Sequence, residues 1–410
     1  MDSLTQIVLG AAVGQAAQGK KLGNRAMLWG AVGGTIPDLD IIGNYFMSEI
    51  DALAFHRGIS HSITFAVLFS FLIAWLVKSY YASEVYKNKY YKWLCTAVGV
   101  LVIGIGGLLV TFISFSLGGN LSMWISILLC SAIGIYFIYR LKVHYLDIEL
   151  MEVSTDYKVW YSLFFWTIFT HPLLDCFTVY GTQLFAPFSD YRVAFNNISV
   201  ADPMYTVLFL IGLIPSALSP RNSKNRVRWN WIGIGLSSLY MVFTLYNKYE
   251  VDKVMRSSLA AENIVYEKYL TNPSILNNVL WSGTAETDSF YVQGYYSFFD
   301  KEKKFKFHKI RKSHHLIEGH EDDHDIEILR WFSNQYYSIL ERSDGRLQFN
   351  DMRYGRFSEE NDNEDNFIFK FIIIEDEASG TYVIKEGEGG PPRGNEDEMM
   401  RQLWNRIKGI

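Results

Sequence analysis

The sequence predicts an all-α polytopic membrane helix bundle of about eight apolar helices, followed by a soluble α+β domain. Runs with about the length needed to cross ~30 Å of hydrocarbon recur between residues 63 and 246. Beyond residue 247 such runs stop and charged residues become dense. Short aromatic and β-branched runs bounded by turn residues then dominate, a pattern typical of strands. We therefore predict a membrane-embedded domain at 1–248 and a soluble domain at 249–410.

Hydropathy places the apolar helices in chain order. The first two are short and rich in Gly and Ala, which favours close helix packing or a partial crossing of the membrane. The predicted helices are 4–18, 24–36, 61–77, 94–117, 121–139, 159–176, 204–219 and 229–247.

Lys and Arg collect in every second connection between these helices, as eight crossings require. The positive-inside rule places such connections in the cytoplasm. The intervening connections and the C-terminal domain then face outward, which makes that domain extracytoplasmic. The four basic groups are Lys20, Lys21 and Arg25; Lys78, Lys87, Lys89 and Lys92; Arg140, Lys142 and Lys158; and Arg221, Lys224, Arg226 and Arg228.

Overall charge and cysteine usage exclude several classes of protein. The formal net charge of −5 gives no reason to expect a nucleic-acid partner. Cys95, Cys130 and Cys176 are an odd set without metal-like spacing, so we predict small core residues and no disulfide framework. The start, MDSLTQ, lacks the basic region of a cleavable signal peptide, and insertion is expected to rely on the internal helices.

The C-terminal part predicts an antiparallel or mixed sheet and a short final helix. The final helix is amphipathic and has the sequence NEDEMMRQLWNRIKG. The predicted strands come from NNVLWSG, SFYVQGYYSFF, KFKFHKI, RLQFND, NFIFKFIIIE and TYVIKE.

Four short segments place ionisable groups at the ends of apolar helices, where such groups are costly and functional by default. They are PDLD at 37–40, HRGISHS at 56–62, THPLLD at 170–175 and ADP at 201–203. Under the predicted topology all four converge on the outward side of the membrane. His171 and Asp175 are four residues apart and share a helix face.

Histidines and carboxylates gathered in one place are the ligand types of a zinc-like or first-row metal site. The surplus of carboxylates favours two or three ions, the arrangement that clamps both oxygens in phosphoester hydrolysis. Arg57, beside His56, matches phosphate oxygens with its planar guanidinium.

Each segment also has a structural interpretation. In that interpretation, Asp38 and Asp40 belong to a polar turn after Pro37. His171 and Asp175 are then a buried hydrogen-bonded pair. His56 and His61 can be interfacial residues. Asp202 before Pro203 is favoured as a helix cap. The convergence of the segments on one side of the membrane favours the site over these separate interpretations.

Taken in order, MDSLTQIVLGAAVG, GTIPDLD, HRGISHS and THPLLD resemble the family of LexA-regulated, inner-membrane metal-dependent hydrolases over residues 1–220. That family is distantly similar to the zinc-dependent phospholipase C and nuclease superfamily, whose helical enzymes cleave phosphodiesters. The resemblance implies a divalent-metal cofactor, with zinc favoured, and a place in the inner membrane. The ligands it implies are Asp38, Asp40, His56, His61, His171 and Asp175.

One position departs from the family pattern. Many relatives carry a histidine where this chain has Gln6, and an amide is a poor zinc ligand, so one metal position is expected to be altered, weak or absent. A second histidine group, His314, His315, His320 and His324, has charged neighbours and no apolar frame, which favours a solvated loop.

We therefore expect a membrane-bound metal-dependent hydrolase that cleaves a phosphoester of a lipid or lipid-linked substrate at the outer leaflet. Asp38, His61 and Arg57 are the expected catalytic residues. One alternative is a metal-ion transporter, although helices three to five carry few polar residues along their length. Another is a non-catalytic membrane scaffold whose outward domain binds a partner.

Overall fold

The computed structural model describes residues 1–147, 152–153, 156–356, 366–376, 379–385, 387 and 396–410. It divides into two compact units: Met1–Ser70 with Ser162–Ile410, and Phe71–Tyr161. The predicted boundary at residue 248 lies within helix α8 (Lys224–Ala261).

The N-terminal half is helical. Its elements are α1 (Ser3–Leu22), α2 (Asn24–Thr35), a 3₁₀ helix (Pro37–Tyr45), α3 (Glu49–Phe55), a 3₁₀ turn (Ile59–His61), α4 (Ile63–Ala82), α5 (Lys89–Leu141), α6 (Tyr157–Asp175), α7 (Pro203–Leu218) and α8.

Three segments among the described residues are long and apolar enough to cross a membrane: Ile63–Ala82, Lys89–Phe112 and Asn120–Leu141. They match the predicted helices 61–77, 94–117 and 121–139. Their large apolar side chains are widely exposed, Leu108 and Leu128 among them, as expected of surfaces that face lipid.

Helix α5 carries two of these spans, and the two spans lie side by side. A Cβ built on Gly107 would lie only 3.5 Å from the Cβ of Cys130. Residues 107 and 130 of a straight helix would be about 35 Å apart. The chain therefore folds back between them, and the two spans run antiparallel.

The prediction of about eight apolar membrane helices is not confirmed. The five other predicted helices correspond to α1, α2, α6, α7 and α8, but these do not qualify as spans. Polar side chains are one reason, since α1 carries the buried Gln6 and Gln15. Length is another, because α7 has only 16 residues.

Close helix packing in the first unit depends on glycine, as the Gly- and Ala-rich sequence predicts. A Cβ on Gly10 of α1 would lie 2.3 Å from the carbonyl oxygen of Gly30 in α2. A Cβ on Gly212 of α7 would meet the backbone of Gly233 in α8 at the same distance. Both helix pairs therefore approach more closely than any side chain would permit.

The C-terminal region forms two four-stranded antiparallel sheets, in the orders β1-β2-β3-β4 and β5-β6-β7-β8. Helix α9 (His324–Phe332) lies between them in the chain, and α10 (Glu396–Ile407) confirms the predicted final helix. The strands are β1 (Lys268–Pro273), β2 (Leu280–Glu286), β3 (Phe290–Ser297), β4 (Lys306–Arg311), β5 (Tyr337–Glu341), β6 (Leu347–Asp351), β7 (Lys370–Glu375) and β8 (Tyr382–Ile384).

Both sheets pack against helices from earlier in the chain. Val251, Met255 and Leu259 at the end of α8 form one core with the first sheet. Ile50 of α3 is only 1% exposed and lies in the core of the second sheet, beside Leu329 of α9. The C-terminal sheets are thus joined to the segment that contains the candidate site.

Candidate metal centre

Three elements bring the predicted ligands together. Pro37 begins a 3₁₀ helix that presents Asp38 in its first turn. His61 ends the 3₁₀ turn that precedes α4. His171 and Asp175 lie one turn apart at the end of α6. These four residues, which are distant in sequence, form a single group whose ligand atoms all lie within 4.8 Å of one another.

Five of the six distances between ligand atoms in the group are those expected around a single metal ion. The two Nε2 atoms of His61 and His171 are 3.1 Å apart. Asp38 Oδ1 lies 3.4 Å from His61 Nε2 and 3.3 Å from His171 Nε2. Asp175 Oδ2 lies 3.4 Å from each of them. Four ligands around a zinc ion are about 3.3–3.5 Å apart, because each bond measures about 2.0–2.2 Å.

Hydrogen bonds at the other ring nitrogens turn both imidazole lone pairs toward the centre. His171 Nδ1 donates to the carbonyl oxygen of Gly34 at 2.5 Å. His61 Nδ1 hydrogen-bonds with Ser60 Oγ at 3.0 Å and lies 3.2 Å from Asp40 Oδ2. In the neutral form of each imidazole, a proton on Nδ1 leaves Nε2 free to bind a metal. Carbonyl and carboxylate partners of this kind orient metal-binding histidines in many proteins.

A buried oxygen without a hydrogen bond also fits a cation. Asp175 is fully buried, and its Oδ2 accepts no hydrogen bond from the described part of the chain. Its Oδ1 accepts one from Gln6 Nε2 at 3.0 Å and pairs with the α-amino group of Met1. The Nε2 lone pairs of the two neutral histidines and the oxygens of Asp38 and Asp175 repel one another at these distances. A positive charge between them removes the repulsion. The donor set therefore fits a divalent metal.

The structure places Asp40 and His56 outside this group. Asp40 accepts hydrogen bonds from His56 Nδ1 (2.9 Å), from the Arg57 backbone (3.0 Å) and from Ser60 Oγ (2.8 Å). His56 is in contact with the Tyr180 ring. Asp40 therefore holds the segment that leads to His61, and it contacts the group only through His61 Nδ1.

Arg57 is buried behind Asp175. Its Nε lies 3.4 Å from Asp175 Oδ2, and its Nη1 donates to Thr178 Oγ1 at 2.9 Å. The guanidinium also covers the Tyr180 ring at 4.8 Å. In this position it neutralises Asp175.

The two aspartates of the 3₁₀ helix are held ionised. Burial alone would raise the pKa of Asp38, but hydrogen bonds with His171 and His61 lower it well below its usual range. The pKa of Asp40 is likewise depressed, because hydrogen bonds with His56 and His61 outweigh the effect of burial. Both carboxylates are therefore charged over the whole physiological range of pH.

A family model gives the identity of this region. The model described as YdjM inner membrane protein matches residues 1–116 and 121–251. The chain belongs to the YdjM inner membrane protein family. All four residues of the group lie within the matched ranges. No curated protein and no solved structure matches the chain.

The family match agrees with the inner-membrane resemblance found in the sequence. Gln6, the position that departs from that resemblance, lies at the site but outside the four-residue group. It is fully buried, and its amide nitrogen hydrogen-bonds to Asp175. Gln6 therefore supports one ligand in this member of the YdjM family.

The fourth predicted segment caps a helix. Asp202 is the N-cap of α7 and accepts hydrogen bonds from the backbone nitrogens of Met204 and Tyr205. Its other carboxylate oxygen accepts one from Tyr240 at 2.9 Å. The favoured interpretation of this residue is confirmed.

The second histidine group separates into individual contacts. His314 donates to the Tyr337 carbonyl, and His320 pairs with Asp323. His324 pairs with Asp51 of α3 at 2.7 Å. These histidines form no shared metal group among the described residues.

Sequence reasoning missed several neighbours of the site. Tyr180 contacts both His56 and Arg57, and the Gly34 carbonyl orients His171. A backbone carbonyl has no sequence signal. Tyr180 lies five residues beyond Asp175 and is one of 26 tyrosines, so composition does not distinguish it. Ser60, by contrast, lies inside the HRGISHS segment, so the sequence did contain a signal for this residue.

Proposed function

We propose that this YdjM family member is a metal-dependent hydrolase that cleaves a phosphoester of a lipid or lipid-linked substrate at the outer leaflet of the inner membrane. The observation that carries the proposal is the close grouping of Asp38, His61, His171 and Asp175. Their ligand atoms lie within 4.8 Å of one another, close enough to share one cation.

The position of the group along the chain supports a membrane substrate. His61 lies two residues before Ile63, the first residue of a candidate span. The group is therefore expected at the level where a hydrocarbon span meets the headgroups. Phosphates of lipids and of lipid-linked substrates lie at this level, whereas a soluble substrate gains nothing from it.

A divalent ion bound here would polarise a phosphoryl oxygen and would lower the pKa of a bound water molecule toward neutral pH. The side chains of the protein perform the remaining tasks. Asp40 and the Gly34 carbonyl keep protons on the outer ring nitrogens of His61 and His171. Arg57 balances the charge of Asp175 from behind.

Solvent reaches the metal group at only one of its four ligands among the described residues. The side chains of His61, His171 and Asp175 are fully buried, whereas that of Asp38 is 22% exposed. Substrate is therefore expected to approach beside Asp38. A hydrolytic site needs a coordination position free for water or substrate, and a shift of this carboxylate would open one. Asp38 is therefore the ionised ligand that we place at the mouth of the site, beside the substrate.

Metal content measured beside turnover tests the proposal. The detergent-purified protein is expected to hold a stoichiometric divalent metal, and the His171→Ala variant to lose it together with phosphoester turnover. His315→Ala is the matched control, because His315 is an exposed histidine far from the group in sequence. It should retain both properties.

Three outcomes separate the rival functions. Metal with hydrolysis of phospholipids or lipid-linked phosphates supports the hydrolase. Metal without hydrolysis, but with flux of the same ion into sealed vesicles, would replace it with a transporter. Absence of metal after reconstitution with zinc and manganese would favour a scaffold whose polar cluster stabilises the helices.

A further inference from the structure

We infer that two exposed apolar segments beside the metal group insert into the membrane interface and anchor the group against the bilayer. They are the 39–47 segment and the 185–188 segment, here called the anchor segments. Neither belongs to a candidate span. The inference rests on exposure, composition and chain connection, and it holds whether or not the protein is a hydrolase.

The first anchor segment continues directly from the metal group. It includes most of the 3₁₀ helix Pro37–Tyr45, whose first turn carries Asp38. Tyr45 and Phe46 are 83% and 82% exposed, and Ile41 and Ile42 are also exposed. Two aliphatic and two aromatic side chains within six residues form an apolar surface that a water-facing helix rarely carries.

The second anchor segment has the sequence FAPF. Phe188 at its end is 85% exposed and Phe185 is about half exposed. A hydrogen bond from the Phe188 nitrogen to the Phe185 carbonyl folds the segment into a turn. This turn leaves the Phe188 side chain almost fully exposed and about half of the Phe185 side chain exposed.

The backbone fixes both segments to the start of a membrane span. Ile63, the first residue of α4, donates its backbone hydrogen to the Leu184 carbonyl, immediately before Phe185. The Gln183 nitrogen donates to the Arg57 carbonyl. In the other segment, Asp40 accepts hydrogen bonds from Arg57 and Ser60. Both anchor segments are therefore joined to residues 57–63, and they lie at the level where α4 enters the bilayer.

Composition favours lipid as the occupant. Residues 39–55 contain no Lys or Arg, and Asp40, the only charge between 39 and 48, is buried. FAPF carries no charge. Tyr and Phe rings are suited to the boundary between headgroups and acyl chains. The 185–188 segment also follows Leu184, which is bonded to Ile63 at the start of the span, so the membrane that surrounds α4 is expected to reach these residues.

Site-specific fluorescence tests the inference in the full-length protein. Phe46→Cys and Phe188→Cys, each in a background with Cys95→Ala and Cys130→Ala, carry an environment-sensitive label. Cys176 is buried and stays in place. Val265→Cys is the control, because Val265 is 87% exposed but lies in the loop between α8 and β1. Each labelled protein is reconstituted as a single copy per nanodisc, with unlabelled background protein to correct for labelling elsewhere.

Two quenchers then report what surrounds each label. We expect brominated phospholipids to quench the labels at positions 46 and 188, while aqueous iodide does not. The label at 265 should respond only to iodide. Iodide quenching at 46 or 188 would overturn the inference. Protection of either label from both quenchers would also overturn it, because a protein surface would then cover the segment in place of lipid.

Discussion

Asp40 offers the sharpest test of how the metal group is built. The sequence alone makes Asp40 as good a ligand as Asp38, but the structure places it against the outer nitrogen of His61. Replacing Asp40 with Asn keeps the size of the side chain and removes its charge. The amide oxygen of the new side chain would still accept hydrogen bonds from Ser60 and the Arg57 backbone, so the local chain path should survive.

The expected loss of metal affinity follows from the role of Asp40 as the partner of a ligand histidine. Loss of a carboxylate that orients a ligand histidine typically weakens metal binding about 10- to 100-fold. This corresponds to about 1.4–2.8 kcal/mol of binding free energy at 25 °C. At saturating metal the Asp40→Asn variant should therefore still bind one equivalent. Removal of a ligand, as in His171→Ala, should abolish stoichiometric binding.

Competition between the protein and a chromophoric chelator measures the affinity, and elemental analysis measures the stoichiometry. Asp51→Asn serves as the control, because Asp51 is a partly exposed aspartate with a histidine partner outside the metal group. Its affinity should equal that of the wild type. If Asp40→Asn loses metal as completely as His171→Ala does, Asp40 is a ligand and our assignment of the four-residue group is wrong.

Three further predictions concern stability. Ile50→Ala should lower the free energy of unfolding of the C-terminal sheets by about 2–5 kcal/mol, because removal of a fully buried side chain leaves a cavity. Chemical denaturation measures this change, and a denaturation midpoint equal to that of the wild type would contradict the shared core. Gly10→Ala should lower the melting temperature in detergent, because the new Cβ would overlap the α2 backbone. Gly235→Ala is the control, because open space surrounds Gly235. Equal changes in melting temperature for the two variants would contradict the close packing of α1 and α2. The His324–Asp51 pair raises the pKa of His324 and lowers that of Asp51, so its contribution is complete between about pH 4 and 6.5 and falls as pH rises through the raised pKa of His324. Both groups are largely solvated, so His324→Gln should cost no more than about 0.5 kcal/mol at pH 6 and nothing at pH 9, and a larger cost at pH 9 would contradict the ion pair.

The ligand segments could be predicted from the sequence because each combines His or Asp with the end of an apolar helix. The distinction between Asp38 and Asp40 could not. In an extended Asp-x-Asp segment both side chains would lie on one side. The chain here forms a 3₁₀ helix, with about three residues per turn, so residues two apart point in different directions. Asp38 therefore reaches the group, and Asp40 turns toward His56 and Ser60.

The helical arrangement shows a similar limit. Hydropathy located the long apolar helices of the N-terminal half, but not the seven-residue α3, because burial in lipid or in protein selects the same side chains. It did not distinguish the two environments. Gly10 and Gly30 lie in α1 and α2 because those helices pack on each other, and neither helix qualifies as a membrane span. Strands β1 and β5 were missed because their short runs contain polar residues at buried positions, such as Asn272 and Ser338.

The place of Ile50 in the second sheet has a consequence for how the protein is made. The residue leaves the ribosome early, whereas β5–β8 are synthesised last. Contacts between such distant parts of the chain form slowly, because a long loop must close first. The segment around Ile50 must therefore wait, exposed, until synthesis is nearly complete. A fragment that begins at residue 249 would lack this side chain, and supplying residues 48–55 as a separate peptide should stabilise it.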